Sequence, residues 1–371
     1  MRADPLPRVS DVVVVGAGLV GLCTALSLRR RGVREVALID RGSVCGESTG
    51  ASAGGLWPAH ECLGLASPEI ARGAWDAQLR LLEEFPCDYM PSGLLSLLDE
   101  GDAAKGAERV RRTRQAGFEA DLVSSDDLED LEPVLRHSGY AMHFPGDGSI
   151  HPLKLASAIV SWLRRNGVAI CLGQAVAGIE TSGPAIRTAS ARASAGAVVI
   201  AAGAWTPLLT EVLGWTPPIR PIRGTLLATD AQPSQTMRSV VVARRYYYWQ
   251  LGCGPLAGGG SEEDVGFEEG VRDEVAADIR REWSELFPAL RTLPFTCGWS
   301  GFRPFCADMQ PVIGAIPGSR NVYVSAGHFR KGIMLSPLSG DLVAGQIVDG
   351  RTWGPARAFR PGRFPVAGSP G

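Results

Sequence analysis

The thirty residues from Asp11 to Asp40 restrict the fold of this chain more than any other stretch. "DVVVVGAGLVG" joins four consecutive valines to Gly16-x-Gly18-x-x-Gly21. An unbroken β-branched run fits a strand covered on both faces, as in a parallel sheet. "LVGLCTALSLRRRG" then reads as a helix. Arg29, Arg30 and Arg31 fall in its last turn, where cations suit the dipole, and Gly32 follows as the cap. "EVALID" supplies a second strand that ends at Asp40. Strand, glycine turn, helix, strand and acid together form a βαβ unit that binds a dinucleotide. Gly16 makes the tight turn, Gly18 lets the backbone approach a pyrophosphate, and Gly21 lets helix and sheet pack closely. Leu19 and Val20 open the helix, whose free N–H groups suit phosphate. Asp40, with Arg41 after it, can accept from ribose hydroxyls.

The rest of the composition excludes more than it assigns. With 371 residues, 45% hydrophobic and 20% charged, the chain has room for more than one domain. A formal charge of −2 and a pI near 6.3 give no electrostatic reason to expect nucleic acid or an anionic membrane. Eight cysteines include no CxxC pair, which suits reduced thiols in a cytoplasmic protein without a metal site. Val12 to Leu28 is apolar but short for a membrane span, and no basic leader with a cleavage site accompanies it.

The βαβ pattern does not choose between NAD and FAD. "STGASAGGLWP", residues 48–58, offers Ser52, Ala53, Gly54 and Gly55, small enough for a flat ring system to lie close; a surface loop has the same composition.

From here the chain resembles the D-amino-acid-oxidase superfamily of FAD enzymes, and within it the glycine oxidase and sarcosine oxidase-like amine oxidases. "GDGSIHPLKLASAIVSWLRRNGVAI" is similar to the family's D-G-x-x-x-P and following helix. "QAVAGIE" is similar to its adenine-contacting strand, with Val176 at the contact. "AVVIAAGAWTPLL" resembles the turn, here Ala202, Gly203 and Trp205, that lies against the cofactor. "AGHFRKGIMLSP" resembles a glycine-oxidase segment that reads Gly-His-Phe-Arg-Asn-Gly-Ile. Its Gly327-His328 stands where aromatic hydroxylases carry Gly-Asp, which argues against hydroxylation.

The resemblance implies an α/β fold with a discontinuous Rossmann-like FAD-binding domain (1–58, 140–205 and 300–353). An α+β substrate domain dominated by an antiparallel sheet (59–139 and 206–299) would complete it. "EVAADIRREWSELFPAL" has the spacing of a surface helix. The tail 354–371, rich in Pro, Gly and Arg, is expected to be disordered.

Arg303 is the most informative side chain outside the glycine motif. It sits among apolar residues in "SGFRPFCADMQPVIG", and a guanidinium there needs an anion, either a carboxylate of the chain such as Asp308 or a ligand. In the resembling family this slot binds the substrate carboxylate. The strand "YYYWQ" brings either Tyr247, or Tyr246 and Tyr248 together, to one face; the family spacing selects Tyr247. "QLGCG" departs from the family's Pro-Arg-Lys turn. In "GHFRKG", backbone groups of Gly327, Gly332 and Ile333 are expected beside the flavin, with His328 as a hydrogen-bonding spacer or a base. Arg330 or Lys331 would stabilise the charge of the reduced ring. The family's cofactor-tethering cysteine falls at Gly301, so the FAD is expected to be non-covalent and Cys306 a core residue.

The implied enzyme oxidises the C–N bond of a small amino or imino acid with dioxygen as acceptor. Arg303, Tyr247 and Lys331 are its expected catalytic groups. The alternatives are a dehydrogenase subunit that passes electrons to a partner protein, an NAD-dependent dehydrogenase, and a flavin-binding assembly subunit with no activity. The sequence leaves the substrate and the oligomeric state open, homo-oligomers included.

Overall fold

A computed structural model of the chain describes residues 4–99, 101–180, 183–250 and 254–365. The valine run becomes the strand Val9–Val15, in which Val13 and Val14 are completely buried. It pairs in parallel with Val36–Ile39 on one side and Arg192–Ile200 on the other, so Val15 lies opposite both Ile39 and Ile200. Ala169–Cys171 and Val322–Ala326 extend the sheet in parallel, and Val312–Ala315 closes one edge antiparallel. A short antiparallel pair, Gly178–Glu180 and Ala185–Arg187, hangs from Arg192–Ile200.

Small residues let the helices Leu19–Arg30 and Gly332–Asp349 pack tightly on this sheet and on each other. A Cβ on Gly21 would lie 1.9 Å from the carbonyl oxygen of Gly16, and one on Gly340 would lie 2.5 Å from that of Cys23. The apolar stretch Val12–Leu28 is thus divided between a strand and a helix. Among the described residues no helix is long and apolar enough to cross a membrane, and the seven described cysteines are unpaired.

The second eight-stranded sheet runs Phe295–Cys306, Ile219–Ala231, Pro255–Gly259, Tyr247–Gln250, Val240–Val242, Leu94–Leu97, Ala141–Phe144, Asp121–Val123. All its pairs are antiparallel except that of Val240–Val242 with Leu94–Leu97. One face is covered by the helix Asp273–Leu286, which buries Ala276, Ile279 and Trp283 against Tyr246, Tyr248 and Phe287. The breaks expected at 139/140 and 299/300 fall at the start of Ala141–Phe144 and inside Phe295–Cys306, both strands of this sheet.

The tail departs from expectation. Pro355–Phe359 and Pro361–Arg363 form two 3₁₀ turns, and Ala356, Phe359 and Pro361 are buried. Composition undercounted the tail because its few apolar groups fall on one side, over a ready-made core that includes Ile313, Leu342 and Val343. Arg363 then fastens it: Nε and Nη2 donate to the two oxygens of Asp308 at 2.7 and 3.2 Å. Residues 366–371, and the 251–253 portion of "QLGCG", lie outside the described residues.

Candidate active site

A cavity of about 500 Å³ runs between the glycine turn and the face of the second sheet opposite the helix Asp273–Leu286. At its first end Gly16 adopts φ +118°, and a Cβ there would lie 2.3 Å from the carbonyl oxygen of Ala201. Gly18 has only the Thr49 hydroxyl near its missing Cβ, at 3.4 Å, so this side of the turn is open. Val20 lines the cavity, while Leu19 is buried beneath it and its N–H donates to Thr49 Oγ1 at 3.3 Å. Gly21 instead packs against Gly16 and Val14, where the helix meets the strand. Asp40 accepts from the N–H of Ala17 and from that of Gly42, each at 2.7 Å. These bonds fix the carboxylate at the cavity wall with acceptor capacity to spare.

Arg41 lies over the ring of Trp205, its guanidinium carbon 4.1 Å from the centroid. Phe267 stacks on the same indole at 4.8 Å and meets Phe302 edge-on at 5.4 Å. Val176, Ala202 and Gly203 complete that wall. The loop of small residues is held to the strand Phe295–Cys306: the Ser48 hydroxyl donates to the carbonyl of Phe302, and the Trp299 indole N–H to that of Ala51 at 3.0 Å. Ser52, Ala53 and Gly55 line the cavity. Gly54 does not; it turns at φ +73° against the Ile150 carbonyl.

Toward the second sheet the walls become Trp57, Leu226, Tyr247 and Arg303. Tyr247 meets Trp57 edge-on at 5.2 Å. Arg303 is half-buried, and its Nη1 donates to the carbonyl of Ser261 at 2.7 Å. Among the described residues it has no ion-pair partner: Asp308 is taken by Arg363.

The segment before Gly332–Asp349 behaves less uniformly than its sequence suggests. His328, Arg330, Gly332 and Ile333 line the cavity, whereas Gly327 and Lys331 do not. His328 is buried with Nε2 2.9 Å from the Ser339 hydroxyl, and burial lowers its pKa to about 3, so the ring is neutral. Lys331 corrects an expectation. Its side chain is 3% exposed and its Nζ lies 3.5 Å from Glu61 Oε2, so its charge serves a carboxylate of the short helix Pro58–Glu61. Burial alone would raise the pKa of Glu61, but His60, Lys331 and Arg330 outweigh it and hold the carboxyl at about 2. Arg330 pairs with Glu262 at the rim. Cys306 is fully buried and outside the lining, its thiol pushed up to about 11 first by burial and then by Asp308.

Several contributors carried no sequence signal: Leu226 lines the cavity, Phe267 stacks on Trp205 and Ser261 holds Arg303, all from segments without a motif. Gly224 had one, a glycine inside a strand pattern, which marks a close approach of other atoms.

A glycine turn open to a helix N-terminus, an acid beside it and a floor of small residues fit an extended dinucleotide carrying a flat ring. The comparisons agree. The model of a family described as FAD dependent oxidoreductase matches residues 11–346. Hydrogen cyanide synthase subunit HcnC of Pseudomonas aeruginosa is 27% identical over 91% of this chain and 92% of its own. Glycine oxidase of Geobacillus kaustophilus is 28% identical over 90% and 92%. The crystal structure of glycine oxidase from G. kaustophilus superposes with a TM-score of 0.87 at 26% identity, covering 98% of this chain and all of that one. L-proline dehydrogenase from P. horikoshii shares the fold, with a TM-score of 0.89 at 24% identity over 97% and 98%.

Proposed function

This chain belongs to the FAD-dependent oxidoreductase family, and from that membership we propose that it oxidises the carbon–nitrogen bond of a small amino or imino acid, with dioxygen as acceptor. The observation that carries the reading is Arg303, a cavity-lining guanidinium held by a neutral carbonyl and paired with no carboxylate among the described residues. A permanent charge in that setting favours an incoming carboxylate, which its fork meets in two hydrogen bonds. Arg330 lines the same cavity but is paired with Glu262, which supports a ligand with one carboxylate rather than two.

When bound, FAD supplies a two-electron acceptor for hydride. The other tasks belong to the chain. Arg303 anchors the carboxylate, with the Tyr247 hydroxyl beside it, and so sets the direction of the neighbouring C–H bond. Trp57, Leu226 and the Tyr247 ring exclude water. His328 is neutral and already bonded to Ser339, and the cavity's carboxylates, Asp40 and Glu47, belong to the region of the glycine turn. The amine therefore loses its proton to solvent. Its lone pair then forms the C=N bond as the hydride leaves, and water converts the imine to an oxo acid and an amine.

The buried Cys306 and the glycine at 301 support non-covalent FAD. The seven described cysteines, unpaired and mostly buried, support a reducing compartment, the cytoplasm. The test is peroxide release from a panel of glycine, sarcosine, D-amino acids and proline. Turnover in wild type, lost in Arg303→Ala while FAD absorbance is retained, is the expected result; equal turnover in the two proteins would overturn it. Electron delivery to a partner protein is a second reading, favoured by the relative named as a synthase subunit. Reduced enzyme that is stable in air would select it.

A further inference from the structure

Arg303 reaches the cavity along a strip of sheet that carries no side chain. In the pairing of Ile219–Ala231 with Phe295–Cys306, Gly224 lies opposite Gly301 and Ile222 opposite Arg303. A Cβ on Gly224 would fall 2.1 Å from Nη1 of Arg303 and 2.5 Å from both Cζ and Nη2. Those distances are well inside van der Waals contact, so the guanidinium can occupy this place only over a glycine. On its other side Nη1 donates to the Ser261 carbonyl at 2.7 Å. A carbonyl directs the fork without neutralising it.

Ser261 is itself held. Its hydroxyl accepts from the Thr225 N–H and donates to Glu263 Oε1, both at 2.8 Å. Glu263 also accepts from Thr225 Oγ1 at 3.0 Å and from Arg223 Nη2 at 2.6 Å. Arg223 is completely buried, and its Nη1 reaches the Glu268 carbonyl at 2.8 Å. The backbones of Arg223 and Glu263 exchange two further bonds at 2.9 and 3.0 Å. A buried, fully charged pair with several neutral donors resists displacement, because losing one partner strands the other.

We propose that Gly224 and Ser261, with Glu263 acting through Ser261, are positioning residues for Arg303. The glycine supplies the floor and the anchored carbonyl the side rail. Nη1 is thereby committed, and the remaining N–H groups of the fork are presented to the ligand carboxylate in one orientation. Binding then spends little on ordering a long side chain, which is the advantage of a preorganised site. The inference rests on the reading of Arg303 as the carboxylate anchor.

The test titrates the FAD-loaded protein with acetate and benzoate, following the visible absorbance of the flavin, with acetamide as the uncharged control. Gly224→Ala and Ser261→Ala are made alone and together with Arg303→Ala. Ser261→Ala severs the link to Glu263 without stripping Arg223 of its counter-charge. Gly224→Ala is expected to weaken carboxylate binding about tenfold and Ser261→Ala roughly threefold, each by less than about twofold once Arg303 is alanine. FAD content and acetamide response stay unchanged. Wild-type affinity in Gly224→Ala overturns the proposal, as does a loss that persists undiminished without Arg303. If wild type binds neither carboxylate, or Arg303→Ala alone leaves binding intact, the anchor reading fails and this inference with it.

Discussion

Tyr247 and Tyr248 are adjacent on one strand yet serve opposite faces of the sheet. The Tyr247 ring stands 5.2 Å from Trp57 in the cavity, while the Tyr248 hydroxyl donates to the carbonyl of Ile279 at 3.2 Å beneath a helix. Glycines make room for both: a Cβ on Gly260 would lie 2.1 Å from the Tyr247 ring, and one on Gly258 2.2 Å from that of Tyr248. Removing one hydroxyl should therefore affect chemistry and the other stability. Tyr247→Phe is expected to lower kcat/KM by about tenfold, the worth of one hydrogen bond to a charged ligand, with an unchanged melting curve. Tyr248→Phe should cost about 1 kcal/mol of stability and leave kcat/KM within about twofold. Steady-state kinetics and denaturant melts on both variants decide it; the reverse pattern would mean that the faces are exchanged.

The pairing of Arg330 with Glu262 bears on selectivity. Glu262→Gln frees a second cation beside the cavity. The ratio of kcat/KM for iminodiacetate to that for glycine should rise by about five- to tenfold, the worth of one charge-assisted contact. An unchanged ratio would show that Arg330 does not reach the ligand.

His328 links site geometry to acid stability. Burial depresses its folded pKa to about 3 from 6.5. Between those values the unfolded chain binds a proton that the folded chain refuses, so stability is complete above about pH 6.5 and falls steadily towards pH 3. His328→Asn keeps a partner for Ser339 without the titration. Its melting temperature should decline less than that of wild type over this window; parallel acid limbs would assign the loss to other groups.

Phe359 lies in the segment whose composition suggested disorder, and it is completely buried. Phe359→Ala should destabilise the protein by about 3–5 kcal/mol, as for other buried rings. Arg357→Ala, an exposed position in the same turn, serves as the control. Equal melting curves for the two would mean that the tail does not dock.

Legibility followed the reach of the interactions involved. The glycine turn could be read because its backbone turn at Gly16 and the close contact of Gly21 with Gly16 are met within a few residues, although Gly16 also needs clearance from the distant Ala201 carbonyl. The alternation along residues 246–248 narrowed the tyrosines to two faces, but only the packing of Asp273–Leu286 decides which face is interior. Lys331 misled because its neighbours in sequence, Arg330 and Gly332, line the cavity, whereas its partner Glu61 arrives from another helix.

The chain's residue pattern alone therefore determined the dinucleotide turn, the parallel sheet that supports it and the presence of an arginine in need of an anion. Tertiary structure decided which charges are already satisfied. Asp308 went to a tail arginine, Glu61 to Lys331 and Glu262 to Arg330, and that left Arg303, among the described residues, bonded to a carbonyl and to no carboxylate. The reason is physical. Backbone conformation follows from local sterics, but a charge is neutralised by whatever the fold brings within a few ångströms, and those partners come from distant parts of the chain.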